Sequence, residues 1–492
     1  MSRNILNTRL SLFVLLGLSI TLLWYGCAVN PVTGKRNFNL MSESQELALG
    51  QQSDPSIVAE YGLYQDDQLQ NFIDRKGQLM ARVSHRPDLK YEFKVLDSPV
   101  VNAFALPGGY IYFTRGIMAH FNNEAQFAGV LGHEIGHVTA RHSARQYSRS
   151  VLAQVGLIAG MIASPTFAQF GQQASQGMQL MLLKYGRDAE SESDELGVDY
   201  SSQIGYDAHE MAGFFGTLDR LTGGAENRLP TFLSTHPDPA NRNERVLELA
   251  GEWQSKNRAT RLEVNRDPYL RMIDGLMYGE DPRQGFVEND NFYHPEMKFQ
   301  YPIPRGWQTL NSPAQVQMAP EDGKAVVILQ LGKGASLREA SQAAAEQYSL
   351  RTTSSQDRNV NGYSALEVYA DLVQEAQDAN GQTVQQVLKT VSYYIQFEQY
   401  IFHFLGLSTE QDFNTYSRLM LSTMTGFQSL SDPDKLNRQA DRIKIQEVSR
   451  SMSLRDALNS FNQDRDRLDE IAILNGMELN DELSAGTLIK TV

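Results

Sequence analysis

The chain has 492 residues, and 58 acidic residues against 44 basic ones give it a formal net charge of −14 at pH 7. That acidity argues against nucleic acid as a partner and against a basic membrane-binding patch. Its one cysteine, Cys27, excludes both a disulfide within the chain and zinc sites built from several thiolates, and its length predicts about three domains.

Residues 1–26 are typical of a secretory signal peptide. Two arginines precede an apolar run, residues 10–23, that is short for a membrane-spanning helix. The Gly26-Cys27 junction resembles that of bacterial lipoproteins, in which the cysteine is acylated and becomes the first residue of the mature protein. The resemblance implies export and a lipid anchor at Cys27 on the periplasmic side of a Gram-negative envelope. The outer membrane is favoured because Ala28 rather than Asp follows the cysteine. A plain membrane anchor and a cleaved soluble form are the alternatives.

Residues 27–42 are predicted to form a tether, and the first folded domain is predicted over residues 43–285. Within it, residues 91–96 and 103–113 are predicted strands, the second interrupted by a Pro-Gly-Gly turn or bulge at residues 107–109. A strand placed just before a metal-binding helix can offer its edge to an extended peptide.

Residues 131–140, Leu-Gly-His-Glu-Ile-Gly-His-Val-Thr-Ala, are predicted to form a metal-binding helix. His133 and His137 are four residues apart, so a helix places both imidazoles on one side, where they can share a metal ion. Glu134 lies beside the first histidine and can face a metal-bound water without binding the metal. This His-Glu-x-x-His pattern is typical of zinc peptidases. The alternative is a buried helix whose histidines only form hydrogen bonds.

Residues 150–183 combine an apolar section, which stops at Pro165, with a section rich in Gln, Gly and Met. Two buried helices would explain this composition. A mobile lid over the metal site is the functional alternative, since Met-rich and Gly-containing segments adapt their packing.

An acidic stretch, residues 187–195, offers candidates for the third protein ligand that a catalytic zinc needs. Glu190 and Asp194 are four residues apart and share a helical face, whereas Glu192 points roughly opposite. Spacing alone does not choose among them, and a solvated charged helix is the alternative.

The chain resembles the M48 zinc metallopeptidases, the Ste24-like gluzincins, over residues 43–251. The motifs that carry the resemblance are residues 102–109 (Asn-Ala-Phe-Ala-Leu-Pro-Gly-Gly), residues 124–140, and Ser-Thr-His-Pro at 234–237 followed by Arg242. The resemblance implies a mainly helical peptidase domain that hydrolyses peptide bonds and holds one zinc ion per chain.

The same resemblance implies Glu190 as the third zinc ligand and Asp194 as a residue that orients a histidine. Ser193 departs from the Ala that is common in the family before this Asp, and the change touches no ligand.

Glu134 is the expected general base, taking a proton from a zinc-activated water and passing it to the leaving amine. His236 or Arg242 can stabilise the oxyanion that forms. His236 can also cap a turn before Pro237, and in some relatives this histidine reaches the zinc and blocks water, so its role stays open. His142 follows His137 by five residues, which on a helix points it about 140° away, and it is not expected to be a ligand.

Residues 286–430 are predicted to form an α+β sandwich without clustered metal ligands. The Tyr-Pro and Gly-Trp opening and the order of elements resemble Mog1/PsbP-like domains. The predicted strands and helices are residues 326–331, 364–369, 388–397 and 400–405, and residues 336–348 and 410–423, respectively.

Residues 431–442 are predicted to be a polar linker to a module of four elements, in the order strand, helix, helix, strand, over residues 443–492. This βααβ pattern resembles a LysM module, which binds glycans such as peptidoglycan. The Gly-Asp usual near the start of that module is missing around residues 450–453, and a protein-binding copy is the alternative.

The whole chain is thus expected to be α+β, with a mainly helical zincin domain followed by a sandwich and a small βααβ module. Three functions compete. The first is a zinc endopeptidase acting on misfolded or misassembled envelope proteins. The second is a periplasmic chaperone or assembly factor that seldom cleaves, and the third is a peptidoglycan-binding envelope tether.

Overall fold

The computed structural model describes residues 27–39, 41–148, 185–222, 232, 235–236, 242–258, 261–377 and 383–492. The expected signal peptide and the segment 150–183, interpreted as a lid or as buried helices, lie outside these residues. Within the described ranges, no helix combines the length and the hydrophobicity that a membrane crossing requires.

A short hairpin opens the described chain, where a tether was expected. Strands β1 (Cys27–Val29) and β2 (Arg36–Phe38) pair antiparallel, with Cys27 opposite Phe38. Between them the chain turns at Gly34, whose φ of 67° favours glycine. The Asn30 side chain is buried against the following domain. Part of residues 27–42 is therefore ordered structure that packs on the peptidase-like domain.

The first domain is mainly helical around one small sheet. Strand β5 (Tyr110–Thr114) is central, parallel to β3 (Glu92–Leu96) and antiparallel to β4 (Ala103–Leu106), which leaves β4 as an edge strand. The strands expected on both sides of the Pro-Gly-Gly turn are therefore present. The described helices are α1 (Glu43–Tyr61), α2 (Asp67–Ala81), α3 (Arg115–His120), α4 (Glu124–Thr139), α5 (Arg187–Gln203), α6 (His209–Thr222), α7 (Arg242–Asn257) and α8 (Arg266–Met272).

Helix α4 is the expected metal-binding helix. Asn123 caps its start, because its side-chain oxygen accepts a hydrogen bond of 2.8 Å from the Gln126 backbone N–H. Every residue from Ala125 to Thr139 is buried, and the apolar side chains of Phe127, Leu131, Ile135 and Val138 lie in the main hydrophobic core. Burial on all sides fixes the rotation of the helix, and with it the direction of its histidines.

The second domain is an α+β unit built on a seven-stranded antiparallel sheet. Its strand order is β10-β11-β12-β16-β15-β14-β13, and a second sheet has the order β17-β9-β8-β7. Helix α10 (Phe413–Thr425) and the second sheet share one core with the large sheet, whereas α9 (Leu337–Tyr348) packs on alternate side chains of the same strands. The strands are β7 (Phe286–Glu288), β8 (Asn291–His294), β9 (Phe299–Pro302), β10 (Trp307–Asn311), β11 (Gln315–Pro320), β12 (Ala325–Leu331), β13 (Leu350–Val360), β14 (Tyr363–Gln377), β15 (Thr383–Phe397), β16 (Tyr400–Thr409) and β17 (Gln428–Ser429).

The last fifty residues have the expected order of strand, helix, helix and strand. Strand β19 (Lys444–Glu447) pairs antiparallel with β22 (Leu488–Thr491), and helices α12 (Leu454–Ser460) and α13 (Leu468–Leu474) lie between them in the chain. A second short pair joins β20 (Met452–Ser453) to β21 (Glu482–Leu483). The expected linker contains helix α11 (Pro433–Leu436) and ends in β18 (Asp441–Arg442), which pairs with β6 (Met277–Tyr278) of the first domain.

This C-terminal module is docked on the first domain rather than held by a linker alone. Leu474 and Leu488 belong to the same buried cluster as the core of α4. Lys490 is fully buried, and its Nζ donates hydrogen bonds of 2.7 Å to the carbonyl oxygens of Ala119 and Phe121, next to the start of α4. A third bond of 2.8 Å joins Lys490 to the Leu474 carbonyl. The module therefore braces the segment that leads into the metal-binding helix.

Lys490→Met should destabilise the first domain, because it removes three buried hydrogen bonds and leaves their acceptors in an apolar interior. We expect a cost of about 1–3 kcal/mol, measured as a lower melting temperature of the full chain. Lys444→Met is the matched control, since Lys444 is exposed on the neighbouring strand of the same module. Equal melting temperatures for the two variants would contradict a bracing role.

Candidate metal centre

Helices α4 and α5 approach each other closely because glycines line their contact. A Cβ built at Gly132 would lie 2.9 Å from the Gly197 carbonyl oxygen, and one built at Gly197 would lie 3.0 Å from the Gly129 carbonyl oxygen. A Cβ at Gly136 would lie 3.1 Å from the Leu196 Cβ. Since the neighbours at Gly132 and Gly197 are backbone atoms, larger residues there would force the helices apart.

The three expected zinc ligands meet across this contact. His133 Nε2 lies 3.0 Å from His137 Nε2 and 3.4 Å from Glu190 Oε2. His137 Nε2 lies 3.5 Å from Glu190 Oε1. All three side chains are completely buried. The helical spacing of α4 and the close approach of α5 therefore bring two imidazoles and one carboxylate to a single point.

His236 supplies a fourth donor atom at the same point. Its Nδ1 lies 3.3 Å from His133 Nε2 and 3.2 Å from Glu190 Oε1, so that one atom from each of the four residues lies within 4.8 Å of the others. A zinc ion bound tetrahedrally at 2.0–2.1 Å separates its ligands by about 3.4 Å. Three nitrogens and one carboxylate at these separations fit a zinc ion, and the His236 ring lies where the fourth ligand would be.

Asp194 and Arg242 hold the His133 ring at its Nδ1 side, away from the other donors. The Asp194 carboxylate lies 2.9 Å from His133 Nδ1, so Nδ1–H donates to Asp194 and Nε2 is left facing the other donors. Arg242 donates to both oxygens of Asp194, at 2.8 Å from Nε and 2.7 Å from Nη2, and its guanidinium carbon lies 4.0 Å from the Phe215 ring centre. This bidentate pair holds the carboxylate that orients the ring.

Arg242 was expected to act on the oxyanion. Its described contacts are mostly with Asp194, and its Nη2 lies 3.5 Å from Glu190 Oε2. These contacts favour a positioning role through Asp194. The oxyanion role of Arg242 stays a prediction.

Glu134 is completely buried beside the donors but does not belong to them. Neither of its carboxylate oxygens has a hydrogen-bond partner among the residues that the structure describes, and the His236 Nε2 atom lies 3.6 Å from its Oε1. Burial raises the pKa of Glu134 above its ordinary value. A carboxyl group with a raised pKa and free oxygens is suited to take up and release a proton.

Neighbouring acidic and basic groups in the site shift each other's pKa. Burial alone would lower the pKa of His133, but hydrogen bonds to Asp194 and Glu190 outweigh it and raise the pKa to about 9. Burial raises the pKa of Glu190, but the neighbouring His236 and His133 outweigh it and hold that pKa well below the usual range. A metal ion must therefore compete with a proton for His133, and metal affinity should fall as the pH falls.

His142 lies in the site without being one of the four donors. Its Nδ1 lies 2.9 Å from His137 Nδ1, and its Nε2 lies 3.0 Å from Glu192 Oε2. The expectation that it is not a ligand agrees with this position, but the predicted direction of 140° was wrong. Helix α4 ends at Thr139, and Arg141, with a φ of 56°, turns the chain back toward His137.

Sequence reasoning missed the role of His142 because it extended the helix past its end. Arg141 stays in the left-handed region, where its Nε donates a hydrogen bond of 2.7 Å to the buried Glu46 and its Nη2 donates one of 2.9 Å to the Met41 carbonyl. A long-range ion pair of this kind has no local signal in the sequence.

Cys27 forms the start of β1, and its acylation stays a prediction.

Part of the chain is also similar to a solved structure. Cyanobacterial PsbP (CyanoP) from Synechocystis sp. PCC 6803 matches 28% of this chain and 91% of its own, with 12% identity and a TM-score of 0.22. The α+β architecture of the second domain follows from its own strand order, given above.

Two curated relatives match the first domain. The mitochondrial metalloendopeptidase OMA1 of Schizosaccharomyces pombe is 30% identical over 239 residues, which are 46% of this chain and 67% of the relative. The Beta-barrel assembly-enhancing protease of Escherichia coli O157:H7 is 29% identical over 267 residues, which are 52% of this chain and 53% of the relative. The chain thus spans between one half and two thirds of the length of these two proteins.

A family model covers the metal centre itself. Peptidase family M48 matches residues 67–250, which include all four donors, Glu134, Asp194 and Arg242. The described geometry and both relatives agree with this match. The chain therefore belongs to peptidase family M48, and its first domain is a metalloendopeptidase domain.

Proposed function

We propose that the protein is a zinc-dependent endopeptidase of the cell envelope that hydrolyses peptide bonds of misfolded or misassembled envelope proteins. The observation that carries the proposal is the convergence of four buried donors at tetrahedral separations, with the unpartnered carboxylate of Glu134 beside them. His133, His137 and Glu190 would hold one zinc ion. Imidazole and carboxylate donors suit zinc, and three protein ligands are the usual number at a catalytic site.

Zinc supplies Lewis-acid chemistry at such a site, polarising a carbonyl group and acidifying water. Glu134 then removes a proton from the attacking water at one carboxylate oxygen and delivers it to the nitrogen of the leaving amine. Its raised pKa suits both halves of this transfer, since the carboxyl must hold the proton between them. His236 is available to stabilise the oxyanion of the substrate, whereas Arg242, the other candidate from the sequence, is held by Asp194.

The substrate would bind as an extended peptide along β4. This strand is one of the two edges of its sheet and packs directly against α4, and its four residues are buried. An edge strand offers unpaired backbone groups to any extended segment, with little dependence on its sequence. Unfolded or misassembled proteins expose such segments, whereas folded proteins do not. The edge strand therefore supports a preference for unfolded chains.

The location is part of the proposal. A relative named for β-barrel assembly and the lipoprotein-like junction at Cys27 together support an exported enzyme, lipid-anchored on the periplasmic side and more favourably at the outer membrane. The βααβ order of residues 443–492 supports a LysM-like module, with peptidoglycan as the partner that this likeness suggests. For the second domain, we propose the Mog1/PsbP-like fold inferred from its sequence.

One observation favours the chaperone or assembly factor as a second candidate. The His236 ring lies at the fourth corner of the donor set, where a catalytic water must enter. A site closed in this way would bind clients more often than it cleaves them. The two functions differ in measured turnover on an unfolded protein.

The full chain should cleave an unfolded outer-membrane β-barrel protein and spare the same protein once it is folded in detergent.

Glu134→Gln should keep its zinc and lose hydrolysis by about 10² to 10⁴-fold, because only the general base is removed. Glu190→Ala should lose its zinc, because one donor is removed. Cleavage is measured on gels, and zinc by elemental analysis.

Glu195→Gln is the control for Glu190→Ala, because Glu195 lies on the same helix and is half exposed, away from the donors. The proposal fails if Glu134→Gln cleaves at the wild-type rate or if Glu190→Ala retains full zinc. Assisted refolding of the barrel protein without cleavage would establish the chaperone instead.

His236→Ala should raise hydrolysis, because the ring at the fourth corner excludes water while the other three donors suffice to hold zinc. If the open form is about a tenth of the molecules, the rate should rise roughly tenfold. The measurement is the initial cleavage rate together with zinc content. A fall in rate at unchanged zinc content would contradict the closed site and assign His236 to the oxyanion.

A further inference from the structure

We propose that His142 and Glu192 position the metal ligand His137, and that Asn30 of the N-terminal hairpin completes this arrangement. The inference rests on the zinc site proposed above and adds three residues to it. None of the three is a donor to the metal. Each acts through the hydrogen bond that it makes to the next.

Only one arrangement of protons fits the two histidines. His137 Nε2 faces the other donors, so a neutral His137 carries its proton on Nδ1. That proton points at His142 Nδ1, 2.9 Å away, which must then be the acceptor. His142 therefore carries its own proton on Nε2, which donates to Glu192 Oε2 at 3.0 Å. The three groups form one directed chain of hydrogen bonds.

The neighbours of His142 agree with this assignment. The Ser193 hydroxyl lies 3.2 Å from the same Nδ1, whose one lone pair it would share with the closer His137 Nδ1–H at 2.9 Å. The His142 side chain is completely buried, while the Glu192 side chain is 19% exposed. Arg145 Nη2 lies 3.2 Å from Glu192 Oε2 and keeps that carboxylate in place.

Asn30 fixes the other oxygen of Glu192. Its Nδ2 donates to Glu192 Oε1 at 3.0 Å. Its Oδ1 accepts from the backbone N–H of Val32 at 2.8 Å, inside the hairpin turn, so the amide has one orientation only. Asn30 is 3% exposed. The hairpin is thus connected to His137 through two side chains, Glu192 and His142.

Each metal-binding histidine of α4 consequently has its own carboxylate. His133 has Asp194 directly, and His137 has Glu192 through the His142 ring. Both carboxylates come from α5, two residues apart. Groups that hold a metal-bound imidazole in this way typically contribute 10–100-fold to metal affinity. Asn30 is also three residues from Cys27, so the expected anchor lies within about 10 Å of Asn30 along the chain.

Two substitutions of His142 separate its two hydrogen bonds. His142→Asn places an oxygen at the Nδ1 position and keeps the acceptor for His137, whereas His142→Gln reaches Glu192 and loses that acceptor. We expect zinc affinity, measured in the full chain by competition with a chromogenic chelator, to fall about 10–100-fold for His142→Gln and His142→Leu. His142→Asn should lose less affinity than His142→Gln, because it keeps the acceptor for His137 and lacks only the contact with Glu192.

Asn30→Leu should also weaken zinc binding, but less than His142→Gln, because Asn30 is two contacts further from His137 than His142 is. Glu195→Gln on the same helix is the control and should have no effect. The visible spectrum of the cobalt-substituted protein gives a second readout, since a tilted His137 changes the ligand field even where the metal still binds. Thermal melting without metal shows whether each variant is folded.

The outcomes distinguish this proposal from the proposed function. If the wild type binds no zinc, the metal site itself fails. If the wild type binds zinc and folded His142→Gln binds it equally well with the same cobalt spectrum, only the positioning role fails. If Asn, Gln and Leu at position 142 all weaken zinc equally and lower the metal-free melting temperature together, His142 is merely structural and the proposal is overturned.

Discussion

The metal centre depends on the contact between helices α4 and α5. Gly132 and Gly197 face each other there, and a side chain at either would meet backbone atoms that cannot move aside. The close approach brings Glu190 and Asp194 within reach of the two histidines. It also buries four ionisable groups together, which is costly unless each is paired. The pairing of Glu190 with imidazoles and of Asp194 with Arg242 offsets that cost.

The sequence predicted the part of this centre that local geometry determines. His133, Glu134 and His137 follow from helical spacing, and Glu190 and Asp194 followed once the family resemblance had been recognised. The hydrogen-bonded groups behind His137 could not be predicted in the same way. They depend on the turn at Arg141, which a distant Glu46 holds, and on a hairpin that lay in the expected tether.

The same limit applies to the arrangement of the domains. Periodicity and turn residues predicted four strands and both helices of residues 286–430 and the order of elements in residues 443–492, but not strands such as β10, β11 and β13. The docking of the C-terminal module was not, because a buried Lys490 that binds the carbonyls of Ala119 and Phe121 has no signature in the sequence. The C-terminal module therefore shares the core of the peptidase-like domain, although the sequence predicted a module joined by a polar linker.

The His236 ring lies at the fourth corner of the donor set, which supports the proposed closed resting form. In that proposed form the buried Glu134 lies beside the four donors, and a substrate would have to displace the His236 ring. Glu134 and His236 already lie close together, with 3.6 Å between their nearest atoms.

X-ray absorption at the zinc edge of the purified resting protein tests this centre most directly. The account predicts about four nitrogen and oxygen neighbours at about 2.0–2.1 Å, no sulfur, and the outer-shell scattering of three imidazoles. Two imidazoles with water would contradict the closed form. A shell of six oxygen atoms, or a protein that retains no zinc, would contradict the metal centre itself.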